Sequence, residues 1–275
     1  MKKVATIILN RNLPEETNKL YEHLYKYDGN LTDIFVIEAG SDKDKLSKYK
    51  TWYADWPDAK ENGLRYARGM NFGISNLIKE DKYSLYDYFF LITNDTEFDE
   101  KPSISSLLNI MKIHKRLAIL SPCSKRWGEK YLLDSPNHTK YFWFIHNTAY
   151  LFRRELIEKI SHQGNSNYLN FLFDGSNFRG YGCESEIIAK AYANDWAAAI
   201  TNEVIANENE SYLINYSERI RTEKYEENLK LYLNEGKKWM RNKYGFNSRW
   251  SMVQYVKYFY DKFFDYNPDL LPFKI

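Results

Sequence analysis

The chain has 275 residues, of which 39 are basic and 37 are acidic, so its formal net charge is +2. Hydrophobic residues make up 44%, which supports a packed core and excludes a wholly disordered chain. The near-neutral charge lacks the basic footprint of nucleic-acid-binding proteins. The apolar runs are shorter than the roughly 18 residues of a membrane-spanning helix. The two cysteines, Cys123 and Cys183, form no disulfide framework and favour a reducing, cytoplasmic location.

The N-terminal part alternates between apolar runs and helical patterns. Residues 4–9 are apolar and β-branched, which is typical of a strand buried on both faces, and a helix follows that ends near residue 27. A second buried strand covers residues 33–37, a turn and a helix lie within 61–80, and a third strand lies within 86–100. Strands that alternate with helices in this way indicate βαβ units and a parallel sheet.

The next part of the chain continues the alternation. A helix is predicted over residues 103–114, a strand over 117–123, and a strand that runs into a helix over 140–160. A loop that contains glycine then enters a helix at about Glu184, and the segment 197–211 supplies a further strand and a polar loop. The pattern therefore indicates an α/β domain.

From residue 217 the chain is charged, aromatic and helical in pattern. Five aromatic residues near its end follow helical spacing, which predicts that they pack against the main domain. The alternatives are a peripheral membrane contact or a contact between copies of the chain. These residues are Tyr255, Tyr258, Phe259, Phe263 and Phe264.

Acidic side chains stand where two of the first three strands end, at Glu38 and Asp95. In open α/β sheets ligands bind beyond the carboxyl ends of the strands, and Arg65 and Arg68 begin a helix at the same edge. Carboxylates and arginines around one crevice suit a nucleotide diphosphate, with Mg²⁺ or Mn²⁺ held by a carboxylate. Alternatively, the acids only cap their strands, and the arginines are solvated or paired in salt bridges.

Five segments of the sequence, in the same order, resemble family 2 glycosyltransferases of the GT-A fold, over about residues 4–210. The segments are ATIILNRNLPEETNKLYEHL, DIFVIEAGSDKD, ENGLRYARGMNFGI, YFFLITNDTEFDE and FRGYGCESEI. The resemblance implies an α/β GT-A fold with a mostly parallel central sheet flanked by helices. It also implies a GT-A domain over residues 1–215, divided near residue 100 into a nucleotide-binding half and an acceptor half. A helical, aromatic-rich C-terminal extension over 216–275 would pack on that domain.

The resemblance also assigns residues to the binding of a nucleotide-sugar donor. Glu38 matches the acidic residue that contacts uracil or ribose, and Asp95 matches the last acid of the D-x-D metal motif. Thr93 stands where the first Asp of that motif is expected. The donor-binding set implied in this way is Glu38, Arg68, Asn71, Thr93, Asn94 and Asp95.

The metal site that the resemblance implies holds Mn²⁺ or Mg²⁺. Asp95 is its carboxylate ligand, and Asn207 lies where many relatives carry a His that completes the site. An amide oxygen is a weaker ligand than imidazole for Mn²⁺. Glu97 lies on the same face as Asp95 only if the strand continues. The implied metal set is therefore Asp95 and Asn207.

A late motif, Gly-x-Gly-x-Glu-Asp in the family, reads GYGCES here and is followed by Glu186. The Glu-Asp pair of the family supplies the general base that deprotonates the acceptor hydroxyl. Ser185 takes the place of that Asp, and an unactivated hydroxyl is a poor proton acceptor at neutral pH. The role passes to Glu184 or Glu186, of which we favour Glu184. Alternatively, both glutamates are first-turn acids that stabilise the helix dipole.

The resemblance implies an inverting glycosyltransferase that moves a sugar from a UDP-, GDP- or dTDP-sugar to a saccharide, lipid-linked or glycoprotein acceptor. One alternative is a catalytically silent GT-A domain that acts as a sugar-binding or scaffold subunit, because Thr93, Ser185 and Asn207 depart from the family pattern. Another is a nucleotidyltransferase, although no basic, glycine-rich loop follows the first strand. The sequence has no G-x-G-x-x-G after that strand and no G-x-x-x-x-G-K-[ST], which argues against dinucleotide and P-loop binding.

Overall fold

The computed structural model describes residues 3–126, 128–134, 138–145, 149–162, 164 and 166–275. In these residues the chain forms nine strands: β1 (Val4–Asn10), β2 (Thr32–Glu38), β3 (Lys50–Tyr53), β4 (Tyr88–Thr93), β5 (Thr96–Phe98), β6 (Leu117–Cys123), β7 (Thr139–Tyr141), β8 (Ala149–Arg153) and β9 (Ala197–Glu208). The α-helices of the same part are α1 (Pro14–Asp28), α2 (Pro57–Asn62), α3 (Arg65–Lys79), α4 (Ile104–Ile113), α5 (Arg154–Ile160), α6 (Cys183–Ala193), α7 (Ser211–Asn215), α8 (Tyr225–Tyr244) and α9 (Arg249–Tyr266). The short elements β3, β5 and α2 are not predicted by the sequence pattern.

The N-terminal half of the sheet is parallel. β1 lies between β2 and β4, and β3 pairs with the outer edge of β2. The register places Asn10 beside Glu38 and Leu9 beside Thr93, so the carboxyl ends of three strands lie side by side. β1 and β4 are buried along almost their whole length, as their apolar sequences predict. The predicted βαβ units are confirmed.

The second half of the sheet is mixed. β8 pairs antiparallel with β4 and β6, and β9 pairs parallel with β6. β5 and β7 each pair antiparallel with β9, which gives the order β3-β2-β1-β4-β8-β6-β9-β5 with β7 beside β9. The end of β9 therefore returns to the loop that follows β4. Asn209 donates its backbone N–H to the Asp95 carbonyl over 2.9 Å.

Helix α3 packs closely on the N-terminal strands. A Cβ atom on Gly73 would lie 2.6 Å from Ile37 Cδ1 and 2.9 Å from Ile7 Cγ2, so a larger residue here would force these side chains to shift. Met70 and Ile74 of the same helix are fully buried. This packing fixes the start of α3 at the carboxyl edge of the sheet.

Helix α9 inserts aromatic side chains into the main core. Tyr260, Phe263 and Phe264 are buried there, and the Tyr260 hydroxyl donates to the Tyr141 carbonyl over 3.2 Å. Tyr258, by contrast, is 59% exposed. The predicted packing of the C-terminal aromatic residues is thus observed, with Tyr258 as the exception. None of the helices in the described part of the chain combines the length and the apolar character that a bilayer crossing requires.

Helix α8 is tied to the chain around α6 by two carboxylates. Lys243 donates to Asp174 over 2.6 Å and to Glu186 over 2.8 Å. Trp239 donates its indole N–H to Asp174 over 3.0 Å, and the Tyr244 hydroxyl donates to Glu186 over 2.6 Å. Burial would raise the pKa of Asp174, but the hydrogen bonds from Lys243, a neighbouring serine and Trp239 outweigh it and lower that pKa below its usual range. The attachment of α8 therefore depends on ionised carboxylates.

Replacing Asp174 with Asn should lower the free energy of unfolding at pH 7 by about 2 kcal/mol, because it weakens hydrogen bonds from a charged donor. The folded-state pKa of Asp174 lies below its ordinary value of 3.8. Its contribution is therefore fully present above about pH 4 and is lost as the pH falls through the folded-state pKa. Urea unfolding at several pH values measures the difference between the wild type and Asp174→Asn. That difference should shrink below pH 4, and a constant difference down to pH 3 would contradict the account. Asp134→Asn, an exposed acid, is the control.

Candidate functional site

A cavity of about 220 Å³ lies where β1 and β4 end, at the carboxyl edge of the sheet. We call it the edge cavity. Its walls come from the loops after β1 and β4, from the start of α3, and from the segment after β9 that contains α7. The residues that line it are Leu9, Arg11, Leu13, Ala39, Asn62, Arg65, Thr93, Asn94, Asp95, Tyr212, Leu213, Ile220, Arg221 and Thr222. Open α/β sheets bind their ligands at this position.

Three of the predicted donor-binding residues, Thr93, Asn94 and Asp95, line the edge cavity. The Oδ1 atom of Asp95 is buried and has no hydrogen-bond partner in the described structure. Burial raises the pKa of this carboxyl group, a hydrogen bond with Thr93 opposes the rise, and the nearby charges of Glu210 and Glu97 add to it. A buried, unpaired carboxylate oxygen is costly. Asp95 is therefore ready to accept a cation or a hydrogen-bond donor from a ligand.

Asn94 is held in place by hydrogen bonds to strand β1 and helix α1. Its amide donates to Asn10 Oδ1 over 2.9 Å and to Thr17 Oγ1 over 3.1 Å. Asn10 in turn donates to Glu38 Oε2 over 2.8 Å. Asn10 and Glu38 are both fully buried. These bonds form a chain, Glu38–Asn10–Asn94, that fixes the loop in which Asp95 lies.

Glu38 does not line the edge cavity. Its Oε1 accepts the backbone N–H of Ser47 over 2.7 Å, and its Oε2 accepts the Asn10 amide. Burial raises the pKa of Glu38, while hydrogen bonds from Ser41, Ser47 and Asn10 oppose the rise. The structure thus places Glu38 as a group that positions Asn10. Both carboxylate oxygens already accept hydrogen bonds, and the direct contact with uracil or ribose that the resemblance implies stays a prediction.

Arg68 and Asn71 of α3 brace a loop and do not line the edge cavity. Arg68 donates Nε–H to the Gly175 carbonyl over 2.8 Å, and its guanidinium lies 4.7 Å from the centroid of the Phe178 ring. Asn71 is fully buried and bonds the backbone of Phe173 in both directions, over 2.8 and 3.0 Å. The two residues hold the loop before α6 against α3. Their predicted part in donor binding stays a prediction.

Three arginines line the edge cavity: Arg11, Arg65 and Arg221. Arg11 directs all five guanidinium N–H groups to backbone carbonyls, among them those of Ala39 and Ile220. Burial, and then the charges of Arg65 and Arg221, lower the pKa of Arg11 to about 10. Of these three arginines, the sequence pattern indicates Arg65, as a cation at a helix start. Arg11 directly follows the first predicted strand, and this position is the sequence feature that could have identified it. No sequence feature points to Arg221.

A divalent cation at this edge would have Asp95 as its protein ligand. Within the described ranges, no three His, Cys, Asp or Glu side chains gather into a group that could hold a metal ion. Asn207 is engaged elsewhere, since its Oδ1 accepts from Ser124 over 3.2 Å and from the backbone of Lys125 over 3.0 Å. Mg²⁺ sites commonly combine one or two carboxylates with phosphate oxygens and water. The unpartnered Asp95 oxygen fits such a site as its single carboxylate.

A second group of polar side chains surrounds Glu184 in the first turn of α6. Gly182 precedes this helix with a φ of 80°, in the left-handed region that favours glycine. Burial, and then neighbouring groups that include Glu184, raise the pKa values of Tyr66, Tyr150 and Tyr232, so the three hydroxyls stay protonated. The Tyr66 hydroxyl is buried without a hydrogen-bond partner. The group therefore combines a carboxylate with an unused hydroxyl donor.

Glu186, the other candidate base, is fully engaged. Its side chain is 2% exposed and lies 3.1 Å from Lys190 and 2.8 Å from Lys243. It also accepts a hydrogen bond from Tyr244. Burial raises the pKa of Glu186, but Lys190, Lys243 and Tyr244 together lower it below its ordinary value. A carboxylate with a lowered pKa and three partners is a poor general base.

No protein-family model matches this chain, and no curated protein matches its sequence. Solved structures do match its fold. TarS 1–349 from S. aureus, in complex with UDP-GlcNAc, is 13% identical with a TM-score of 0.51, and the match covers 96% of this chain and 73% of that chain. Mannosyltransferase PcManGT from Pyrobaculum calidifontis, in complex with GDP-Man and Mn²⁺, is 13% identical with a TM-score of 0.48, and the match covers 94% of this chain and 73% of that chain.

The similarity to TarS supports the fold, because it extends over almost the whole of this chain. Identities this low concern the fold alone. The parallel N-terminal strands, the flanking helices and the aromatic C-terminal helices agree with the predicted fold class. The chain therefore has the GT-A fold.

Proposed function

We propose that this protein is a glycosyltransferase that uses a nucleoside diphospho-sugar as its donor. The observation that carries the proposal is the edge cavity, in which an unpartnered carboxylate oxygen of Asp95 shares one space with Arg65 and Arg221. Arginines suit phosphate oxygens, and a carboxylate suits a cation or a ribose hydroxyl. The fold supports the proposal, because TarS was solved with UDP-GlcNAc.

On the donor side, we assign the ribose and diphosphate contacts to Thr93, Asn94 and Asp95. Asp95 would be the protein ligand of Mn²⁺ or Mg²⁺, and such an ion, when bound, neutralises negative charge on the leaving diphosphate. The hydrogen-bond chain from Glu38 through Asn10 holds Asn94 in place before the donor arrives. Preorganisation of this kind reduces the ordering cost of binding.

On the acceptor side, we assign the general base to Glu184. Its carboxylate accepts the proton of an acceptor hydroxyl while the acceptor oxygen bonds to the anomeric carbon. The bond from that carbon to the diphosphate oxygen breaks, and its electron pair leaves with the nucleoside diphosphate. This direct displacement inverts the anomeric configuration.

A catalytically silent sugar-binding domain is the second candidate. Ser185 stands in the position of the family's base, and the thiol of Cys183 already donates to Glu184 over 3.6 Å. A silent domain would bind the nucleotide but would release no sugar from its donor. Both candidate functions therefore predict nucleotide binding, but only the glycosyltransferase predicts turnover of the donor.

The location and the acceptor class belong to the same proposal. Cys123 and Cys183 are buried free thiols, as in proteins of reducing compartments. We propose a cytoplasmic enzyme whose acceptor is a saccharide, a lipid-linked saccharide or a glycoprotein glycan. A lipid-linked acceptor would require contact with a membrane surface.

Calorimetric titration with UDP, GDP and dTDP, with and without Mn²⁺, tests the donor assignment. We expect one of them to bind and Mn²⁺ to strengthen that binding.

Asp95→Asn should reduce the apparent Mn²⁺ affinity by about tenfold or more, because it removes the single carboxylate ligand. Asp99→Asn, a change just after β5, should leave it unchanged. Absence of binding by all three nucleotides would refute the donor assignment, and unaltered Mn²⁺ enhancement in Asp95→Asn would show that the metal site is misplaced.

Glu184→Gln should lower donor turnover by about a hundredfold or more, because general bases contribute roughly 10²–10⁴ to rates. Nucleotide binding should stay within about twofold of the wild type, since a base acts on the acceptor and not on the nucleotide. Release of nucleoside diphosphate, with water or simple sugars as acceptors, measures turnover. Glu155→Gln, an exposed acid of α5, is the control. Equal turnover in Glu184→Gln and the wild type would remove Glu184 as the base, and absence of turnover in the wild type would favour the silent domain.

A further inference from the structure

The segment that closes the edge cavity, residues 211–223, is fastened by arginine side chains. We call it the cover segment. Arg11 donates Nε–H to the Ile220 carbonyl over 3.0 Å, and Arg65 donates to Thr222 Oγ1 over 2.7 Å. Ile220 and Thr222 also line the cavity. Arg11 and Arg65 therefore line the cavity and also hold the cover segment in place.

Two of the cavity arginines are paired with carboxylates. Arg65 lies 3.2 Å from Glu223, and Arg221 lies 2.7 Å from Asp42. The side chains of Arg65 and Glu223 are 23% and 31% exposed, and those of Arg221 and Asp42 are 44% and 33% exposed. Ion pairs that water reaches in this way contribute little stability. Glu223 also pairs with Arg179, so it keeps a cationic partner when another anion takes its place at Arg65.

The charge inside the edge cavity is unbalanced. Arg11, Arg65 and Arg221 line it, whereas Asp95 is the single carboxylate among its described lining residues. After burial, the charges of Arg65 and Arg221 are the next causes that lower the pKa of Arg11. Repulsion among the three guanidinium groups therefore persists in spite of the acidic partners. An anion in the cavity would relieve it.

The hydrogen-bonding capacity of these arginines is unequal. Arg11 has all five N–H groups directed to backbone carbonyls, so it contributes charge and no contact. The Nε–H of Arg65 is buried and has no acceptor in the described structure. A buried donor without an acceptor is rare in folded proteins, because it costs free energy. Arg65 therefore has a donor that a bound anion would satisfy.

We propose that Arg65 and Arg221 bind the diphosphate of a nucleoside diphosphate, and that Glu223 and Asp42 pair with them in its absence. The proposal rests on the donor class assigned under the proposed function. Guanidinium groups bind phosphate oxygens through paired, charge-assisted hydrogen bonds. A dianion can therefore displace a carboxylate that is paired with the arginine. Binding of the diphosphate then does not require a divalent metal, and a metal at Asp95 adds to it.

Calorimetric titration of UDP, GDP and dTDP in EDTA tests this proposal. We expect at least one nucleotide to bind the wild type in EDTA, with Mn²⁺ strengthening the binding by less than about tenfold. Arg65→Gln and Arg221→Gln should each weaken binding in EDTA by about tenfold or more. Glu223→Gln should strengthen it several-fold, because the competing carboxylate is lost. Arg219→Gln, an exposed change in the same cover segment, should have no effect beyond about twofold.

The outcomes separate the two proposals. Binding that vanishes in EDTA and returns with Mn²⁺, or that is unchanged in both arginine variants, overturns the role of Arg65 and Arg221 and leaves the donor class intact. Absence of nucleotide binding with and without Mn²⁺ overturns both proposals. If Arg65→Gln does not fold, Arg65→Lys replaces it. Lys keeps the positive charge but lacks the planar set of donors of a guanidinium group, so we expect Arg65→Lys to weaken nucleotide binding less than Arg65→Gln would. Binding equal to that of the wild type would count against the proposal.

Discussion

The register of three parallel strands is the constraint on which the site depends. Asn10, the last residue of the middle strand, pairs with Glu38 on one side, and its side chain reaches Glu38 and Asn94 at once. A slip of β1 by one residue would turn Asn10 to the other face of the sheet. The chain of hydrogen bonds would then break, and the loop with Asp95 would lose its support. The buried carboxylate of Glu38 therefore helps to hold the loop that carries the Asp95 carboxylate.

Acids that are close in sequence or in space have different chemistry here because their surroundings differ. Glu38 ends β2 and Asp95 follows β4, the two strands that flank β1. Both oxygens of Glu38 accept hydrogen bonds, whereas one oxygen of Asp95 has no partner in the described structure. Glu184 and Glu186 lie on the same turn, yet Glu186 is paired with two lysines. Residue type alone does not decide such roles. The number and charge of the partners set the pKa of each carboxylate and the contacts that it can make.

Much of the fold follows from the sequence, because strand and helix patterns are local. The buried strands and the position of Asp95 at the end of β4 were predicted from periodicity alone. The placement of Arg68 and Asn71 was not, because their partners are distant in sequence. Asn71, for example, bonds Phe173, which lies 102 positions further along the chain. Arg221 reaches the cavity because β9 leads the chain back to the loop after β4. No local sequence pattern predicts this return.

The central claim is that the edge cavity holds the diphosphate of a nucleotide. A crystal structure of the protein with the nucleoside diphosphate that binds it best tests this most directly. The account predicts the diphosphate in the edge cavity, with phosphate oxygens within hydrogen-bond distance of Arg65 and with Glu223 displaced from that arginine. A nucleotide bound at another place, or a diphosphate in the cavity while Arg65 keeps its pairing with Glu223, would contradict it.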